Sequence, residues 1–247
     1  KPRLFQSHSR ALTLHLPSPA MLGAMFMYRV VPVLSCIALG VLFTGCGKNQ
    51  SFVAEHEPWR EQDERQCLAA GIVRQSPFVQ SRSALGGPSV CGAVQPFEVA
   101  ATAGGRISFK PAATLRCPMV PAIEHWTQTV VEPAARRAFG EPVVEFKVAG
   151  SYGCRPRNGV WGGKLSEHGF ANALDVSAFK LASGRTVTVR EGWHGRFDER
   201  QFLREVHQGA CATFTTVLGP NADAYHRDHF HVDLARHGRD GKHRVCK

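Results

Sequence analysis

Apolar positions recur at helical spacing in two long stretches. Ile123, Trp126, Val130, Ala134 and Ala138 form one stripe, entered through Pro121, which suits a first turn, and closed by Gly140. Phe202, Leu203, Val206 and Ala210 form the second, within 197–214. Residues 59–72 read as a shorter helix with charge on one side. Elsewhere the pattern predicts strands. Val99–Ala100 and Arg106–Phe109 are short pieces in a stretch, 73–116, rich in Ser, Gly, Pro and Val. Val143–Val148 is a strand, Leu174–Phe179 and Thr186–Arg190 flank a turn at Ser183-Gly184, and His229–Leu234 is a last strand. There is no regular alternation of strand and helix and no internal repeat. The predicted class is α+β, an antiparallel sheet flanked by helices.

The chain start reads differently. Val30 to Gly45 (VVPVLSCIALGVLFTG) is apolar and uncharged, with Arg29 before it. It is shorter than the roughly 20 residues a membrane-spanning helix needs, and a basic flank before a short apolar run is the secretory pattern. Leu42-Phe43-Thr44-Gly45-Cys46 resembles a bacterial lipobox, with Cys46 as the lipidated residue and Phe43 in place of the more usual Leu. The reading divides the chain into 1–45, an upstream extension plus signal peptide; 46–66, a polar tether; and 67–247, the domain. Gly47 rather than Asp after the Cys implies, by likeness to Gram-negative lipoproteins, the periplasmic side of the outer membrane.

Composition narrows the class. With 43% hydrophobic and 20% charged residues the chain is an ordinary globular sequence. The formal net charge is +10, but Lys1, Arg3, Arg10 and Arg29 lie in the first 45 residues, which hold no acid. The mild excess that remains makes no compact basic stripe, so no nucleic-acid partner is expected. Beyond Cys46 stand Cys67, Cys91, Cys117, Cys154, Cys211 and Cys246, an even number with no CxxC. In an exported chain they read as three disulfides rather than a zinc ribbon. Pairing in chain order gives Cys67–Cys91, Cys117–Cys154 and Cys211–Cys246.

Histidines carry the candidate chemistry. In Tyr-His-Arg-Asp-His-Phe-His-Val-Asp (225–233), strand periodicity turns His229, His231 and Asp233 to one face and Phe230 and Val232 to the other. Earlier, Ser166 to Asp175 spaces His168 and Asp175 seven apart with small residues between, so a turn can fold one beside the other. If the two strands pair, two imidazoles and a carboxylate meet in one cleft with a fourth position open, the arrangement of catalytic rather than structural zinc. No G-x-S-x-G, HExxH or complete phosphate loop competes. Glu191 with His194 copies a Glu-x-x-His spacing, but follows a strand away from the paired motif.

Four segments carry a resemblance: Gly150-Ser151-Tyr152-Gly153-Cys154-Arg155, Ser166 through Asp175, Cys211-Ala212-Thr213-Phe214, and His226 through Asp233. From about Cys67 to Cys246 the chain resembles the bacterial extensin-like C-terminal domain family. That family is similar in pattern to the D-alanyl-D-alanine carboxypeptidase and murein endopeptidase zinc peptidases, and to hedgehog signalling domains. The resemblance implies zinc held by His168, Asp175 and His231. It implies His229 as a transition-state or proton-handling residue, His226 as a further active-site histidine, and Arg155 as a substrate-clamping arginine, with Arg157 as its substitute.

One departure stands out. The carboxypeptidases place a Glu three before the last ligand; here that position is Asp228. The base is then His226, His229 or Asp228, and the histidines, with an ordinary pKa near 6.5, suit water activation best. The expected function is a cell-envelope zinc hydrolase cleaving amide bonds in peptidoglycan peptides. The alternative is a non-catalytic, metal-containing lipoprotein that binds peptidoglycan.

Overall fold

A computed structural model describes residues 52–247. The segment read as a signal peptide, Cys46 and the start of the expected tether lie outside the described residues.

In chain order the first elements are β1 (Phe52–Val53), α1 (Pro58–Ala69), β2 (Val79–Ser81), β3 (Leu85–Gly86), β4 (Gly92–Ala93), β5 (Phe97–Thr102), β6 (Ile107–Leu115), α2 (Met119–Trp126) and α3 (Glu132–Phe139). There follow β7 (Val143–Gly150), β8 (Gly163–Lys164), β9 (Ala173–Leu181), β10 (Thr186–Thr188), α4 (Val189–Gly192), α5 (Phe197–Thr213), β11 (Thr216–Leu218), β12 (Phe230–Asp233) and β13 (Val245–Cys246). The main sheet runs β13-β11-β12-β9-β7-β6-β5-β2, with β10 also on β9. The molecule is mixed α and β, mostly sheet with flanking helices.

Four expectations need correcting. The sheet is mixed rather than antiparallel, because β6 pairs with β7 and β11 with β13 in parallel. The helix begun near Pro121 is not uniform. Pro133 has no amide proton to give, and the helix widens over Thr127–Val131, just before it. Residues 189–190 leave the strand for α4, whose entry is capped by the Thr188 hydroxyl accepting from Glu191 N at 3.2 Å. His229–Leu234 shortens to β12, and β13 follows it as the true last strand.

Within 46–66 the described residues hold β1, which pairs in parallel with β8, and the start of α1, the helix expected at 59–72, which buries Arg60, Glu64 and Cys67. Of the chain-order disulfides only Cys211–Cys246 forms. The others are Cys67–Cys117 and Cys91–Cys154. α1 packs against the segment after β6, which brings Cys67 to Cys117 and leaves Cys91 for the segment after β7.

The core gathers Trp126 of α2 with Phe146, Phe179 and Phe214 at ring separations of 5.8–6.5 Å. Its indole N–H donates to the Val206 carbonyl at 3.1 Å. One irregularity decides which side chains face this core. Along β9 the pairing with β7 steps from Ala178 to Val176 while β7 advances one residue, so Ser177 is an extra residue; Ala149 is the matching extra on β7. The two bulges reverse the alternation. Phe179 and Val176 thereby share the core face, and Asp175 with Gly150 turns to the opposite one.

Candidate metal centre

β12 and β9 pair with His231 directly opposite Asp175, and Phe230 and Val232 opposite Val176 and Leu174. Apolar cross-strand pairs seal one face and leave a histidine facing a carboxylate on the other. His168 reaches the same place from a tight turn, Glu167–Phe170, capped by Ser166 and closed by Ala171 in the left-handed region. Glu167, buried beside it, takes a two-pronged ion pair from Arg60 and a hydrogen bond from Asn172 at 2.8 Å. The turn carrying His168 is therefore bolted to α1.

His168 Nε2 lies 3.0 Å from Asp175 Oδ2 and 3.2 Å from His231 Nδ1, and His231 Nδ1 lies 2.9 Å from Asp175 Oδ1. All three residues are buried. The far ring nitrogens are both committed: His168 Nδ1–H donates to the Ser151 carbonyl at 2.5 Å, and His231 Nε2–H to Asp233 Oδ2 at 2.9 Å. A carbonyl and a carboxylate can only accept, so in the neutral rings the lone pairs fall on His168 Nε2 and His231 Nδ1. Three acceptors thus converge on one point, an arrangement that repels itself unless a cation joins it.

With protons alone, the imidazolium fills that part. Burial pulls His231 down, but Asp175 and Asp233 hold it up at about 10. Burial likewise opposes ionisation of Asp175, yet hydrogen bonds from His168 and His231 hold its carboxyl far below the usual range. A divalent ion fits as well. Tetrahedral bonds of about 2.05 Å place ligand atoms about 3.3 Å apart, close to the observed triangle, and both histidines already carry the outer partner that metal-bound imidazoles use. Gly150 leaves the space: a Cβ there would sit 2.8 Å from Asp175 Oδ2 and 3.6 Å from His168 Cε1.

The centre opens into a cleft of about 480 Å³ that includes Arg155, Arg157, Tyr225, His226, His229 and His237. Two Asp–His pairs flank it. Asp223 Oδ1 accepts from His226 Nδ1–H at 2.8 Å, and Asp228 Oδ1 from His229 Nδ1–H at 2.9 Å. In each, the remaining Nε2 is free to handle a proton; that of His229 stands 3.7 Å from Asp175 Oδ1. Burial lowers the His226 pKa, with Asp223 opposing, so this ring is neutral at neutral pH. Arg155 lines the cleft half-exposed, 3.9 Å from Asp175 Oδ2, a loose contact that leaves its fork available; Arg157 leans on Glu167 at 3.5 Å.

The structure thus gathers His168, Asp175, His231, His229, His226 and Arg155 around one cleft. Asp228 spends its carboxylate on His229 and on Arg190 at 2.7 Å. Glu191 and His194 do not line the cleft. Three supporting groups were not assigned a role from sequence. Asp233, two past His231 on a strand, and Asp223, three before His226, could have been found by spacing. The Ser151 carbonyl leaves no trace in the sequence. A second cluster, His207 with Cys211 and Cys246, has its two sulfurs joined in a disulfide.

Residues 65–247 match the family model described as "Extensin-like protein C-terminus". No curated protein and no solved structure matches the chain.

Proposed function

The chain belongs to the extensin-like C-terminal family, and on that premise we propose that it is a zinc-dependent hydrolase of the cell envelope that cleaves amide bonds in peptidoglycan peptides. The observation that carries this reading is the convergence of three acceptors, two of them imidazoles pinned from behind, at the floor of an open cleft. Two imidazoles and one carboxylate suit zinc by softness and number. On this reading the sheet that presents them is of the D-alanyl-D-alanine zinc peptidase and hedgehog type, and Cys46 tethers the domain to the periplasmic face of the outer membrane.

His168 Nε2, an Asp175 oxygen and His231 Nδ1 would hold the ion, which supplies Lewis acidity toward a carbonyl and toward water. The protein's own groups do the rest. The free Nε2 of His226 or His229 takes a proton from the attacking water and returns it to the departing amine. Asp223 and Asp228 hold those rings in the tautomer whose Nε2 carries the lone pair. Arg155 offers two parallel donors to a substrate carboxylate or to the oxygen on which charge develops.

The test is metal content by elemental analysis together with muropeptide profiles of digested sacculi. Wild-type protein should hold about one zinc per chain and release new muropeptides; His168→Ala should lose both. Full turnover in that variant would refute the proposal. A second reading, a peptidoglycan-binding lipoprotein without turnover, is favoured by one observation: Asp228 stands where the related carboxypeptidases carry their base, yet is bound to Arg190 and His229. It expects zinc and sacculus binding with an unchanged muropeptide profile.

A further inference from the structure

Between β7 and the His168 turn the chain makes a short excursion, residues 156–164, whose tip carries Val160 and Trp161. Trp161 is 71% exposed and Val160 50%, and neither helps to build the core. The tip is nevertheless firmly shaped. Asn158, Gly159 and Gly162 take left-handed backbone angles, and successive turns close through Val160 N to the Arg157 carbonyl at 3.2 Å and Gly163 N to the Val160 carbonyl at 3.0 Å. An indole and a valine held out in water by a hydrogen-bonded turn add nothing to the core and are available for a contact.

The chain's own connectivity identifies the partner. β8, just after the tip, pairs with β1, so the tip sits beside Phe52–Val53, where the domain begins, and Val53 is itself 56% exposed. Only Gly47 to Ser51 separate Cys46 from β1. Those residues reach at most about 20 Å even when extended. Lys164, exposed beside the tip, adds positive charge, whereas Arg157 on the other side is held toward Glu167 and the cleft.

We propose that Val160 and Trp161, with Val53 beside them, rest in the headgroup region of an anionic phospholipid surface and form a second, protein-made membrane contact next to the N-terminal anchor. Indoles favour that boundary, and the neighbouring Lys164 favours anionic lipids. The contact would also fix the direction of the cleft, because Arg157, Asn158 and Gly159 of the same excursion line it. The proposal rests on the reading that Cys46, or the apolar run before it, holds the chain on a membrane.

The test uses the full chain with vesicles of phosphatidylethanolamine and phosphatidylglycerol whose acyl chains are brominated to quench indole emission. The segment before β1 contains no Trp, Trp126 and Trp193 are buried, and Trp59 is partly covered, so quenching reports on Trp161. Flotation of the same vesicles reports separately on the anchor. The expected result is flotation of both wild type and Trp161→Phe, with quenching at least threefold weaker in the variant. Flotation with equal quenching would overturn the tip contact while leaving the anchor standing. Failure to float would overturn both. An emission change on adding peptide-free glycan strands but not vesicles would overturn the proposal in favour of a saccharide contact.

Discussion

Gly150→Ala adds one methyl group and no chemistry, which makes it the sharpest test of the metal centre. Gly150 faces Asp175 across β7 and β9, and its backbone is not in the left-handed region, so alanine is conformationally acceptable. On backbone entropy alone the change should stabilise by about 0.4–1 kcal/mol. The new Cβ, however, would lie 2.8 Å from Asp175 Oδ2, about 0.6 Å inside the 3.4 Å where ordinary contact begins. Asp175 is buried and bonded to both His168 and His231, so the carboxylate cannot retreat without breaking the triangle. Ligand distances tolerate only about 0.2 Å. Zinc affinity should therefore fall about 10–100-fold, roughly 1.4–2.8 kcal/mol, and the metal-free protein, in which the same buried carboxylate bonds both histidines, should lose about 1–3 kcal/mol. Competition with a chromophoric chelator measures the first and thermal unfolding in EDTA the second. Affinity within about twofold of wild type would refute the claim that these three atoms share one ion.

Two further outcomes follow from the groups behind the ligands. Asp233→Asn weakens the acceptor that pins His231 and should lower zinc affinity about 10-fold. In the metal-free protein His231 is raised to about 10, so its stabilising contribution is complete below pH 6.5 and lost as pH rises through 10; the variant should narrow that window in a titration of thermal midpoints. Asp223→Ala removes the group that raises the His226 pKa against burial, so the acidic limb of kcat/KM should move to lower pH as the plateau falls. A limb that stays fixed or moves up would mean that His226 does not titrate in the rate.

Much of the site was legible because strand periodicity is rigid. Alternation alone put His229, His231 and Asp233 on one face, and the small residues between His168 and Asp175 permitted the turn that joins them. The apolar stripes running from α2 into α3 and along α5 were equally clear, since each faces the core. What could not be read depended on contacts between distant segments. Cys67 pairs with Cys117 only because α1 packs against the segment after β6, and nothing in the spacing of the cysteines encodes that packing. Nothing in the spacing of Arg60 and Glu167, 107 residues apart, marks them as a buried pair. The helix α1 was legible at 59–72, but β1, two residues in a polar stretch, exists only through its pairing with β8.

The doubled slip at Ser177 and Ala149 has a consequence for how this chain tolerates change. The three-residue step from Val176 to Phe179 keeps both on the core face only because Ser177 is left out of the pairing. Were β9 to pair regularly at its full count, Phe179 would be offered to water, or Asp175 to the oil. Removing Ser177 would instead leave Val176 and Phe179 two apart, the spacing at which a regular strand keeps both inside. The irregular pairing between Asp175 and Phe179 is for this reason as much a part of the candidate centre as the carboxylate.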